Sequence, residues 1–128
     1  MIHFFRTRLK SFVYAFSGWG YVLRTQRNAW VHAAATLCVI SLGLWIKISP
    51  RDWAVIVLTI TLVWASEFIN TALEAVVDLS TSEHHPLAKV GKDVGAAAVL
   101  IAALSAVLVG LLILGPPLID KIKPFFLR

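Results

Sequence analysis

The chain has 128 residues, 59% of them hydrophobic and 15% charged, with a formal net charge of +5 and a mean hydropathy of +0.80. A soluble domain carries about 45–50% apolar and about 25% charged residues, so these values exclude an ordinary water-soluble globule and leave one membrane-embedded domain. The basic excess is spread over termini and connections without a nucleic-acid-binding signature, so anionic lipid headgroups are its natural counterpart rather than nucleic acid.

Residues 1–28 predict an amphipathic helix lying on the membrane surface. Phe5, Leu9, Phe12, Phe16, Trp19 and Leu23 recur at steps of three and four, as one helix face requires, and Arg6, Arg8, Lys10, Arg24 and Arg27 supply cations. The opening MIHFFRTRLK lacks the continuous apolar stretch of a cleavable leader. A first span is expected over 29–46, bracketed by Trp30 and Trp45 as interfacial aromatics, with His32 near that interface. Cys38, the single cysteine, forms no intrachain disulfide and reads as a packing residue. The polar KISPRD (47–52) connects to the next helix, with Asp52 as its N-cap.

The second span, 53–79, is continuously apolar to Ala65 and then turns polar. At 1.5 Å per residue it reaches about 40 Å, more than the ~30 Å hydrocarbon thickness, so its polar end should emerge at one membrane surface. STSEHHPLAKVGKD (80–93) reads as an irregular loop from its Ser, Thr, Pro and Gly content. The third span, 94–115, carries no charge. It opens on Gly95, Ala96, Ala97 and Ala98, small residues that admit a close helix, and Pro116 and Pro117 are expected to end it. The fold expected is an all-α membrane protein: one surface helix and three transmembrane helices. With the N-terminus cytoplasmic, Arg6, Arg8, Lys10, Arg24, Arg27, Lys89 and Lys92 lie inside and Lys47, Arg51, Lys121, Lys123 and Arg128 outside, a weak positive-inside bias.

The chemistry concentrates at the polar end of the second span. Glu67, Asn70, Glu74 and Asp78 follow one another at steps of three, four and four, which at about 100° per residue confines them to an arc of roughly 80°. Ionisable groups in a membrane helix are costly and usually functional. Carboxylates four residues apart can hold a hard divalent cation together with water and phosphate oxygens. A further carboxylate can take a proton from a substrate hydroxyl, and Lys92, beside Asp93, can meet a phosphate as a point charge. Such a set suits phosphoryl transfer, where positioning and charge neutralisation do most of the catalysis. Glu83, His84 and His85 join the group from the loop, although adjacent histidines lack the spacing of a zinc site. Neither a GxxxxGK[ST] loop, nor GxGxxG, nor HExxH is present. The same stripe could instead serve a proton- or ion-conducting subunit, or bind helices together in a non-catalytic assembly protein.

EFINTALEAVVD (67–78), followed by EHHPLAKVGKDVGAAAVLIAA (83–103), resembles the prokaryotic diacylglycerol kinase family, which includes undecaprenol kinases. The resemblance covers nearly the whole chain. It implies a homotrimeric membrane kinase, with a site shared between subunits, that transfers the γ-phosphoryl of ATP to a lipid hydroxyl with Mg2+ as cofactor. It implies Glu67 as general base and Glu74 as metal ligand. Asn70, Asp78, Lys92 and Asp93 fall on positions around ATP, as do Glu83, His84 and His85, and Tyr14 matches a surface-helix tyrosine near the nucleotide. TQRNAWVH (25–32) is similar to the family's TERN-type segment, but Gln26 stands where a second metal-ligating Glu is expected, offering a carbonyl oxygen without charge. HPLAK and the TxRN segment favour undecaprenol over diacylglycerol as the lipid, and the site is expected to face the cytoplasm across a bacterial inner membrane.

Overall fold

A computed structural model describes the backbone of residues 2–81 and 83–126 and the side chains of 10–81 and 83–124. Among the described residues every regular element is helical: α1 (Ile2–Thr25), α2 (Arg27–Ile46), α3 (Pro50–Ser80) and α4 (Pro86–Phe126). α2, α3 and α4 are long and apolar enough to cross a membrane. The expected surface helix and three spans are therefore present. The side chains of Phe5, Arg6, Arg8, Leu9 and Arg128 lie outside the described residues.

α1 keeps Phe12, Tyr14 and Phe16 exposed, buries Val22, and rests one side of the partly exposed Trp19 on the Trp64 ring. Exposed aromatics next to cations suit a helix bathed in headgroups and acyl chains rather than water. The chain bends at one residue, Gln26, whose extended backbone (φ −102°, ψ 116°) separates α1 from α2. The surface helix thus ends at Thr25, three residues before the expected boundary.

At the far end of α2, Lys47 takes the left-handed conformation (φ 59°). Trp53 packs so close to Gly43 that an added Cβ there would sit 3.0 Å from its ring. α3 starts earlier than expected. Its N-cap is Ser49, not Asp52: Ser49 Oγ accepts from the Asp52 N–H at 3.2 Å, and Asp52 Oδ2 accepts from the Ser49 hydroxyl at 2.7 Å. Pro50 occupies the first turn, where a missing N–H costs nothing, and Asp52 sits three residues inside, where a carboxylate favours the helix dipole.

The segment 80–93 is helical from Pro86 onward rather than a loop throughout. Pro86 begins the first turn, the Leu87 N–H donates to His85 Nδ1 at 3.2 Å, and Lys89 pairs with Asp93 one turn on at 2.6 Å. Pro116 and Pro117 do not terminate the last helix either; it continues to Phe126. Within a bilayer a helix break would leave backbone groups unsatisfied, so proline is accommodated inside spans. The continuation brings Lys121 back to α2, where its Nζ donates to the Trp45 carbonyl at 2.6 Å and lies 4.9 Å from the Trp45 ring centroid.

α3 and α4 run antiparallel and form the principal packed pair. The buried positions of α3 are Ile56, Val63, Glu67, Asn70 and Thr71; those of α4 include Gly95, Val99, Ala102 and Leu114. Gly95 carries the close approach: a Cβ there would overlap the Asn70 carboxamide and stand 3.1 Å from Leu73. Ala96, Ala97 and Ala98 are exposed, so one glycine, not the whole small-residue run, makes this contact.

Candidate active site

The four polar residues of α3 point along one side of the helix but fall into three zones of different depth. The deepest holds Glu67, 1% exposed. Its backbone carbonyl accepts from the Thr71 hydroxyl at 2.9 Å. Its Oε2 lies 3.7 Å from His32 Nε2 on α2, and neither atom has a hydrogen-bond partner among the described residues. Trp64 and Phe68, on either side of Glu67 in sequence, meet Trp19 of α1 with centroids 4.9 and 4.7 Å apart, the first pair tilted and the second edge-on. Trp64 Nε1 donates to Thr36 at 3.2 Å, tying α3 to α2.

Seven residues along α3, or about 10 Å at helical rise, Glu74 is held from both sides. Asn70 Nδ2 donates to Glu74 Oε1 and Gln26 Nε2 donates to Glu74 Oε2, each at 3.0 Å. The elbow at Gln26 makes this possible, because it carries the amide from the α1–α2 corner to the side of α3. A carboxylate accepting two amide N–H groups is satisfied without a cation, whereas a Glu at position 26 would be repelled by it.

The third zone is a cleft of about 700 Å³ between the end of α3 and the start of α4, lined by Asp78, Glu83, His84, His85, Lys92 and Asp93 among others. That volume lies in the range of small-molecule pockets. Lys92 Nζ meets Asp78 Oδ1 at 2.5 Å across the two helices, and Asp93 takes Lys89. The cleft therefore offers ammonium groups of Lys89 and Lys92 beside imidazoles and carboxylates, a setting for phosphates and a heterocycle.

Six of the residues singled out in the sequence thus share one cleft, and three more (Gln26, Asn70, Glu74) form the cluster beneath it. Glu67 stands apart, deeper still, and Tyr14 is exposed on α1 and does not line the cleft. His32 was missed as a partner of Glu67; a lone histidine in an apolar span was the available signal, but 35 positions separate it from Glu67 in the chain.

Among the described residues no three His, Cys, Asp or Glu side chains gather as a metal cage. The donors present nevertheless fit a hard divalent ion that completes its shell with phosphate oxygens and water: one carboxylate, Glu74, flanked by two carboxamides able to turn an oxygen toward it. One of those two carboxamide oxygens, Asn70 Oδ1, is buried without a hydrogen-bond partner among the described residues and faces Gly95.

Comparison with known proteins gives this geometry a family. The sequence profile described as prokaryotic diacylglycerol kinase matches residues 13–114. The chain is 44% identical over 109 residues to the undecaprenol kinase of Bacillus subtilis, spanning 85% of this chain and 89% of that protein. It is 45% identical over 113 residues to a diacylglycerol kinase of Synechocystis sp., covering 88% of this chain and 65% of that relative. It is 35% identical over 96 residues to the diacylglycerol kinase of Escherichia coli K12, covering 70% of this chain and 79% of the relative.

Proposed function

The chain belongs to the prokaryotic diacylglycerol kinase family and is a membrane lipid kinase, and we propose that it phosphorylates undecaprenol at the cytoplasmic face of a bacterial inner membrane. A single kinase domain spans residues 1–128, works as a homotrimer and uses Mg2+ with ATP. Diacylglycerol is the second candidate lipid. The undecaprenol reading is supported by likeness to the Bacillus subtilis enzyme over 89% of its length and by the HPLAK and TQRN segments.

The observation that carries the mechanism is the ordered succession along α3: cleft, carboxylate–amide cluster, buried carboxylate. Asp78 lies eleven residues from Glu67, about 16 Å at helical rise, a span for a nucleoside triphosphate laid along the helix. The nucleoside sits in the cleft among Asp78, Glu83, His84, His85 and Asp93, and Lys92 exchanges its pairing with Asp78 for phosphate; Tyr14, which does not line this cleft, has no part in the arrangement within one chain. Glu74, with the oxygens of Gln26 and Asn70, would hold the divalent ion, which neutralises phosphate charge when bound. An apolar groove of about 440 Å³ between α2, α3 and α4 ends on His32 next to Glu67. The lipid chain lies in it with its hydroxyl toward that carboxylate. Glu67 accepts the hydroxyl proton as the lipid oxygen bonds to the γ-phosphorus. The bond to the bridging oxygen breaks, and its electron pair leaves with ADP.

The test is a competition. The protein, purified in mild detergent, receives γ-labelled ATP and equimolar undecaprenol, diacylglycerol and a short-chain alcohol. Label should enter undecaprenol phosphate first. Preferential labelling of diacylglycerol would reverse the substrate order, and label in no lipid would remove the kinase reading.

A further inference from the structure

We propose that His32 is the positioning residue of the phosphoryl transfer: its Nε2–H holds Glu67 Oε2, so that the other carboxylate oxygen is presented to the lipid hydroxyl. This rests on the reading of Glu67 as the base. The two polar atoms face each other at 3.7 Å, both are inaccessible, and neither has another hydrogen-bond partner among the described residues. A buried carboxylate oxygen without a donor is strongly disfavoured. A shift of well under 1 Å closes the pair into a hydrogen bond.

The surroundings give that contact a purpose. His32 is 12% exposed at its side chain, and the exposed part faces the apolar groove, which it lines with Ala35, Thr36, Ile60 and Val63. The same imidazole therefore touches the base on one side and the proposed lipid path on the other. Its ring stands edge-on to Trp64, 6.2 Å between centroids, and Trp64 is itself fixed by Thr36. The imidazole is thus braced from both helices. During transfer the hydroxyl proton passes to Glu67, the lipid oxygen–phosphorus bond forms, and the bridging bond breaks toward ADP. His32 keeps its own proton throughout and prevents the carboxylate from turning away.

The experiment compares His32→Ala, His32→Gln and wild type, each shown to be folded by its elution and melting temperature in detergent. A misplaced base costs about a hundredfold or less. His32→Ala should accordingly lose roughly 10–100-fold in kcat while KM for ATP stays within about twofold. His32→Gln, whose amide can donate to the same oxygen, should recover kcat to within about fivefold of wild type. A second readout needs no turnover. In protein labelled with 15N-histidine, the His32 signal, identified by its loss in His32→Gln, should move on Glu67→Gln and stay in place on Glu74→Gln. The proposal is overturned by a His32→Ala kcat within twofold of wild type. Equal loss in the Ala and Gln variants with a matching rise in KM, or a His32 signal indifferent to Glu67→Gln, would overturn it as well. If wild-type protein labels no lipid, the kinase reading fails, and the resonance experiment still decides the His32–Glu67 contact by itself.

Discussion

Replacing Gly95 by alanine tests how the site is built, because it adds one methyl group where α4 meets the Asn70–Glu74 pair. The new Cβ would overlap Asn70 Oδ1 and lie 3.1 Å from Leu73 Cδ2. Leu73 is 37% exposed and can give way, whereas Asn70 is only 8% exposed, so the carboxamide relieves the overlap by rotating off Glu74 Oε1. A hydrogen bond to a charged group contributes about 1.5–3 kcal/mol, which corresponds to roughly ten- to a hundredfold in the affinity of whatever Glu74 holds. Alanine is favoured over glycine in a helix by about 1 kcal/mol, so global stability should change by less than that loss. Melting temperature in detergent should stay close to wild type while half-saturation for MgATP rises at least tenfold. Gly110→Ala on the same helix, with nothing within 4 Å of its Cβ, should leave MgATP half-saturation unchanged. A Gly95→Ala protein with wild-type MgATP dependence would show that the Asn70–Glu74 contact does not organise the site.

Three further outcomes follow from the same geometry. Gln26→Glu places a second carboxylate against Glu74, where an amide now donates at 3.0 Å; without divalent cation the protein should melt lower, and the free Mg2+ needed for half-maximal activity should fall by about tenfold, an unchanged Mg2+ titration being the contrary result. Lys92→Met breaks a pair in which the partners are 41% and 65% exposed, a kind of ion pair that contributes only about 0.2–1 kcal/mol; thermal stability should therefore hold while KM for ATP rises at least tenfold in steady-state assays. Lys121→Met removes the contact to the Trp45 carbonyl and ring; thermal unfolding should register a loss of about 1–2 kcal/mol with kcat and both KM values unaffected.

The helix face shared by Glu67, Asn70, Glu74 and Asp78 was legible in the sequence because helical spacing alone decides it. The three spans were legible because hydropathy marks them. What spacing could not show is depth. Glu67 and Asp78 share a face, yet one is buried and the other is exposed, because only the former lies where α2 crosses. The caps followed local chemistry that competes along the chain: Ser49 and Asp52 are both good N-caps, and Pro50 between them decides for Ser49. Pro86 reads as a loop signal in isolation and as a helix start once His85 accepts the Leu87 N–H. Pro116 and Pro117 would end a helix in water, but the bilayer removes the alternative partners for the backbone. His32 was invisible as a partner because its relation to Glu67 exists only through the packing of α2 on α3.

The central claim is that a carboxylate buried in the second span takes the proton from a lipid alcohol during transfer of the γ-phosphoryl group. Transfer of label from γ-labelled ATP to extracted undecaprenol, measured for wild type and Glu67→Gln under identical saturation, tests it most directly. Removal of a general base costs about 10²–10⁴-fold, so the variant should retain at most about one per cent of the wild-type rate with an unaltered oligomer and melting temperature. A Glu67→Gln protein that phosphorylates lipid at more than about a tenth of the wild-type rate would contradict the account.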